Sequence, residues 1–456
     1  MRVACNICED IAGLSYLMVG MPECGTYSRG MSSMPEGACG ELRRIYVLDA
    51  NEVIFGCRAG VTDALRVMDK EGARAILIIA TCVTDLIGED LEGLINEVQP
   101  ELNARLTYVT LGQFKNFGGA SGTWKTAEAL GALMKPHVAQ PAVKSPVSQP
   151  VSPLPPASQP PASQSATARL PEAQPSAISP ALQPATPSPA TGGSGGGCAN
   201  ALLIEAWHNK NDTVKFPLIV GALEKKGVRI RRLSPGANLD DFLDAPDAAM
   251  NLILNAVSQP LAAKMEAAFH TPYAPLHNSF SVAEVDAAYG AIADAFGFNW
   301  GGEFDDWRGL AASLESRARS ELAGLKYAML PGVDMPAALA VYLAGFGMEP
   351  IIVAIEDFHG EDSGYAKKLK TLGYDPYVCR MMNIDYDVEI VRKLKPDISF
   401  GALPDPIDGF LCAEYMGDFF GITGYERTAG ILSRIFKLLE TGDIGERIDL
   451  YGAAPV

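Results

Sequence analysis

The chain has 456 residues, with 37 Lys and Arg against 54 Asp and Glu, for a formal charge of −17. That length suffices for two or three domains with separate cores. An acidic balance with no basic stripe argues against nucleic acid, whose phosphates need clustered cations, and no apolar run reaches the length that spans a bilayer.

No charged stretch followed by an apolar run and a small-residue cleavage site opens the sequence. A cytoplasmic, thiol-reducing setting is therefore expected. There, cysteines serve as metal ligands or packing residues rather than as disulfides.

Residues 1–135 alternate strand and helix signals. Apolar, β-branched runs predict strands at Leu17–Gly20, Arg44–Leu48, Ala75–Ala80 and Leu106–Thr110, with helices at Gly60–Glu71, Gly88–Val98 and Thr123–Leu133. From about Pro136 to Cys198 the chain becomes Pro, Ala, Ser and Gln, ending in Gly192-Gly193-Ser194-Gly195-Gly196-Gly197. It has almost no aromatic or large aliphatic side chains to offset its ordering entropy, so a disordered linker is expected. The alternation then resumes with strands at Ala201–Ala206, Val228–Leu233 and Met250–Asn255 and a helix at Val214–Lys226. A last unit has strands at Tyr327–Leu330, Ile351–Ile355, Tyr377–Cys379 and Ile398–Gly401, with helices at Met335–Gly347 and Gly424–Glu440. The expected fold is α/β: three Rossmann-like domains with mainly parallel sheets and right-handed crossovers, interrupted by the linker. The expected boundaries are 1–135, linker 136–198, 199–322 and 323–456.

Nine cysteines are present. Buried packing is the reading for Cys39, Cys57, Cys198, Cys379 and Cys412, because a free Cys usually behaves as a small hydrophobe. Cys24 and Cys82 differ. Each follows an apolar run and precedes a helix start, and such turns converge at the carboxyl ends of parallel strands, where ligands bind. A helix N-terminus there favours a thiolate or the negative charge of a cluster. Thr81 and Thr84 flank Cys82 as hydrogen-bond donors to cluster sulfurs or backbone. With Cys5 or Cys8 close by in sequence, the set suggests an iron–sulfur centre. His270 and His277 fall in an expected surface connection, and Glu356, Asp357, Glu361 and Asp362 around His359 read as a solvated acidic loop capping a helix rather than a cation site.

The run Thr81-Cys82-Val83-Thr84-Asp85-Leu86-Ile87-Gly88-Glu89-Asp90-Leu91 resembles the second cluster-ligand motif of nitrogenase component 1 proteins, a Cys followed by Ile-Gly-Asp/Glu-Asp. Gly20-Met21-Pro22-Glu23-Cys24-Gly25-Thr26-Tyr27-Ser28-Arg29 resembles the family's other motif. Asn51-Glu52-Val53-Ile54-Phe55-Gly56-Cys57 is similar to its Val-Phe-Gly-Gly turn, with Cys57 in place of the second Gly. Thr110–Gly122 followed by Trp124 resembles the loop that contacts cluster and partner, and Thr423-Gly424-Tyr425-Glu426 matches a Gly-Tyr-Glu near the C-terminus.

The resemblance implies a β-like subunit that lends three cysteines to a cluster of the 4Fe–4S or 8Fe–7S type, the P-cluster, shared with a homologous α-like subunit in a heterotetramer. The implied ligands are Cys24, Cys82 and one of Cys5 and Cys8, with Cys8 slightly favoured. Both stand closer to Cys24 than the family's first ligand does. Electrons would come from an ATP-dependent iron protein. A docking patch that includes Arg29, Arg43 and Arg44 is expected near the cluster end of the first domain, relieving the acidic surface where a partner chain binds. The family's α-type subunit holds a catalytic metallocofactor with a Cys and a His, whereas Leu252-Ile253-Leu254-Asn255-Ala256 has no Cys and the stretch from Leu403 to Gly424 has no His. The resemblance thus implies electron delivery to a metallocofactor in the partner. Methylthio-alkane reduction is the expected reaction, ahead of dinitrogen or tetrapyrrole reduction, with a cofactor-assembly scaffold as the non-catalytic alternative.

Overall fold

The computed structural model describes residues 2–29, 37, 39–112, 122–135, 200–204, 217–233, 237–254, 256–333, 335–355, 360–379, 384–401, 411–413 and 422–441. The expected linker, His137, Cys198, His208 and the segment 356–359 lie outside them.

The first sheet contains β2 (Ser15–Gly20), β3 (Arg43–Val47), β4 (Ala75–Ala80) and β5 (Arg105–Thr110), in the order β3-β2-β4-β5; it is preceded in the chain by the two-residue strand β1 (Ile11–Ala12). The second contains β6 (Asn200–Ile204), β7 (Arg229–Arg232), β9 (Met250–Ile253) and β10 (Tyr273–Pro275), in the order β10-β9-β6-β7, while β8 (Ala237–Asn238) pairs with β1. The third runs β13-β12-β11-β14-β15, from β11 (Lys326–Met329), β12 (Glu349–Ala354), β13 (Tyr377–Cys379), β14 (Ile398–Phe400) and β15 (Leu411–Ala413). Every described pairing is parallel. The fold is therefore α/β with three parallel sheets.

The reason is visible in β4. Its Ala-Ile-Leu-Ile-Ile-Ala sequence is buried at all six positions, as a strand covered on both faces must be. One face packs against α4 (Arg58–Lys70) through Val61, Leu65 and Met68 and against α6 (Leu91–Val98) through Leu91 and Leu94. The other face meets α1 (Arg2–Glu9) and α7 (Gly122–Leu130) together with Leu239, Phe242 and Leu261 of the second unit. The β1–β8 pair stitches the same two units together.

The third unit is bolted to the second by the first turn of its last helix, Tyr425–Thr441. Tyr425 donates to Asp286, Glu426 accepts from the Leu218 N–H, Arg427 donates to the carbonyls of Leu276, His277 and Ser279, and Thr428 donates to that of Phe280. Four consecutive side chains cross the same junction.

Several elements differ from the sequence expectation. The segment 259–321 holds three helices, Gln259–Phe269, Val282–Phe296 and Asp305–Glu321, and the edge strand β10. Three residues ending in proline are too short a strand to leave a periodic signal. His277 is fully buried, not on a surface connection, with Nε2 at 3.2 Å from Glu361 Oε1. Asn278 and Tyr365 also donate to Glu361, and Asp362 is buried, so these two acids are not on a solvated surface. The Glu361 carboxyl is held below its usual value: burial alone would raise it, and the His277 and hydrogen-bond partners outweigh that.

Candidate metal centre

Cys24 and Cys82 come together by topology. Strands β2 and β4 are neighbours, pairing Val19 with Ala80, and each ends in a turn into a helix. The helix α2 (Pro22–Arg29) starts with Pro at its first position, where the missing N–H costs nothing, and Cys24 is its third residue. Cys82 is the first residue of α5 (Cys82–Ile87). Both thiols are partly exposed.

Backbone constraints hold the two turns close. A Cβ on Gly20 would lie 2.2 Å from Thr81 Oγ1, so only glycine lets the end of β2 pass this side chain. Thr84 donates to the Val19 carbonyl at 3.0 Å, tying α5 back to β2. Thr81 is fully buried, and its hydroxyl has no hydrogen-bond partner. A buried polar atom left unsatisfied beside a thiol is what a bound sulfide or thiolate acceptor would relieve, so these residues fit a metal–sulfur cluster.

The Gly-Glu-Asp that follows α5 has a separate physical account for each residue. Gly88, in the left-handed region at φ 73°, closes α5. Asp90 caps α6 by accepting from the Gly93 N–H at 2.9 Å. Glu89 reaches sideways, and its Oε2 accepts from the Cys57 N–H at 2.8 Å and faces the Cys57 thiol at 3.4 Å. Burial, then Glu89, pushes that thiol up to about 12, so Cys57 stays protonated near neutral pH. This link carried no sequence signal beyond the departure from Gly at position 57.

Cys5 and Cys8 lie on α1, each only 1 % exposed, in the core shared by the first two units. The orientation of α1 separates them. It ends at Glu9, six residues before β2 begins at Ser15, and Glu9 pairs with Arg43 at the start of β3. The C-terminal end of α1 is thus at the amino edge of the sheet, and its other end points toward α2 and the carboxyl edge. Cys5 precedes Cys8 by three residues, about 4.5 Å along the axis toward the N-terminal end of α1. Burial, together with Cys5 and Glu9, pushes the Cys8 thiol well above its usual value. Among the described residues no group of three His, Cys, Asp or Glu side chains converges as a metal site.

Cys379 is buried as expected, whereas Cys39 is exposed. Arg43 is no part of an exposed patch: it is buried and paired with Glu9 and Glu41 at the amino edge, away from Cys24 and Cys82. Arg44 pairs with Glu71 and also sits in the first half of β3. The exposed residues at the carboxyl edge include the apolar Ile54 and Phe55 of α3 (Ala50–Phe55) and Leu86 of α5, alongside Glu23, Asp49 and Asp90. Among the described residues no helix is long and apolar enough to cross a membrane.

The family model for nitrogenase component 1 type oxidoreductases matches residues 1–440. The chain is similar in fold to a solved structure titled "Nitrogenase Cp1 at pH 6.5", with a TM-score of 0.60 and 14% identity over 100% of this chain and 94% of that one. A second, "Nitrogenase Cp1 at pH 5", aligns with a TM-score of 0.49 and 16% identity over 95% and 86% of the two chains. A search of curated proteins returns no match.

Proposed function

The chain belongs to the family of nitrogenase component 1 type oxidoreductases, and on that premise we propose that it is the β-like subunit of a nitrogenase-like reductase, holding part of an inter-subunit iron–sulfur cluster. One observation carries the reading: Cys24 and Cys82 stand partly exposed at the carboxyl ends of adjacent parallel strands, beside the buried, partnerless hydroxyl of Thr81. When bound, such a cluster supplies one-electron storage and transfer. The residues of this chain then have simple duties. Cys24 and Cys82 bind iron as thiolates, Thr81 donates to a sulfur, and Thr84 with Gly20 fixes the spacing of the two turns.

The third thiolate is Cys5, because α1 points its N-terminal end toward α2; Cys8 lies a turn deeper beside Glu9 and Arg43. Two or three thiols on one edge leave further iron sites to a partner. A homologous α-like subunit fills them in a heterotetramer, fed by an ATP-dependent iron protein in the cytoplasm. The reaction proposed for the pair is thioether C–S bond reduction rather than dinitrogen reduction, the long Pro-rich insertion of residues 136–198 setting this chain apart from the usual dinitrogen-reducing β subunits.

Iron and acid-labile sulfide per chain, with EPR, test this on protein co-expressed with its partner and purified without oxygen. A cluster lost in Cys5→Ser but retained in Cys8→Ser is expected. Iron-free protein sinks the reading. Cluster-loaded protein that transfers a metallocofactor to another chain, and turns over no thioether, identifies an assembly scaffold instead.

A further inference from the structure

We propose that Glu89 is a positioning residue for Cys82, fastening the turn between α3 and α4 to the segment that carries the thiol. The inference rests on the cluster reading above and adds a route by which force on one surface reaches both cysteines. Cys57 is the N-cap of α4, yet its own side chain makes no capping bond. The Glu89 carboxylate supplies the cap from another element, taking the Cys57 N–H at 2.8 Å and the thiol at 3.4 Å on one oxygen. Gly56 closes the turn against that oxygen: its φ is 93°, and a Cβ there would lie 3.2 Å from Glu89 Oε2.

The route continues on both sides. Before Gly56, α3 buries none of its residues, and Ile54 and Phe55 are 72% and 83% exposed. A capping box of Asp49 and Glu52 holds α3 as a rigid turn despite that exposure. Beyond Glu89, its own N–H donates to the Thr84 carbonyl, and Thr84 donates to Val19 in β2, the strand that leads to Cys24. A bonded path therefore runs from the exposed apolar turn through Cys57, Glu89 and Thr84 to Val19. It passes through Thr84, two residues after Cys82 in sequence, and ends five residues before Cys24. The burial that keeps the Cys57 thiol protonated preserves it as a donor to Glu89.

The test uses the full chain, loaded with its cluster, as Glu89→Ala, Glu89→Gln and Cys57→Ala. Losing the cap in Glu89→Ala should speed amide exchange at residues 56–58 by about 2- to 30-fold. A smaller rise should spread over 81–88, and the EPR signal of the reduced cluster should broaden. Glu89→Gln keeps an acceptor oxygen and should restore both readouts, while Cys57→Ala keeps the backbone bond and should stay close to the parent. Exchange over 81–88 unchanged in Glu89→Ala, or failure of Gln to rescue, overturns the inference. Absence of iron from the parent protein overturns the cluster reading instead, and the exchange measurement still reports on the tie.

Discussion

Glu426 makes the fold of this protein sensitive to pH in a direction that can be worked out. It sits in the first turn of the last helix, only 1 % exposed, with Oε1 accepting from the Leu218 N–H at 2.8 Å and Oε2 buried without a partner. Burial lifts its carboxyl from 4.5 to about 7, against the smaller opposing effects of the backbone bonds and Arg427. The folded state therefore keeps a proton that the unfolded chain releases. Stability from this group is complete below pH 4.5 and is lost as pH rises through about 7. At 1.36 kcal/mol per unit, the gap corresponds to a loss of about 3 kcal/mol by pH 8. Glu426→Gln retains an acceptor for Leu218 and cannot ionise. The variant should exceed the parent by about 1 kcal/mol near pH 5 and by about 3 kcal/mol at pH 8, roughly 2–4 °C in Tm per kcal/mol for a unit of 150–250 residues. Thermal and urea melts at half-unit steps from pH 5 to 8.5 measure this. Parent and variant curves that stay parallel across that range would refute the assignment of a neutral carboxyl at the junction.

Three further outcomes are expected. Cys24→Ala and Cys82→Ala should each strip most iron from anaerobically purified protein while leaving far-UV circular dichroism unchanged, because partly exposed thiols contribute little to the core; full iron in both variants contradicts the site. Gly20→Ala forces a methyl onto Thr81 and should cost about 1–3 kcal/mol in urea denaturation, with a larger relative loss of iron than of stability. Deleting Val143–Pro189 should leave Tm and iron content close to the parent, since the segment has few large apolar side chains; a drop of many degrees would show that it packs on a domain.

The sequence was most legible where local pattern and burial agree. The run Ala75–Ala80 is continuous, β-branched and apolar, and it forms β4 with the expected ends. The turn residues at Cys24 and Cys82 were also legible, because strand-to-helix boundaries have local signals. Helix α2 was not: Pro22 and Gly25 read as a loop, although Pro at the first helical position is compatible with a helix. The burial of Cys5 and Cys8 was hidden for a different reason. Their helix is covered by Leu239, Phe242 and Leu261, more than two hundred residues away in sequence. The His277–Glu361 and Leu218–Glu426 contacts span 84 and 208 residues, and neither partner's surroundings hint at the other.

The two acidic motifs that carried the family resemblance turn out to do the same kind of work. Glu89 caps a helix that belongs to another segment, and Glu426 accepts from the N-terminal end of a helix in another domain. In each, a glycine in the left-handed region sits just upstream, Gly88 at φ 73° and Gly424 at φ 87°, so that the acid leaves its own helix direction and reaches across. A carboxyl oxygen offered to free N–H groups, whether the ionised Glu89 or the neutral Glu426, satisfies donors that would otherwise be stranded. Neither acid is a proposed cluster ligand. In the proposed function, chemistry in this chain rests on the cysteines and Thr81, while the motifs around them fix where those few side chains stand. That division predicts distinct phenotypes: substitutions at the acids should shift exchange rates and pH-dependent stability, and substitutions at the thiols should shift iron.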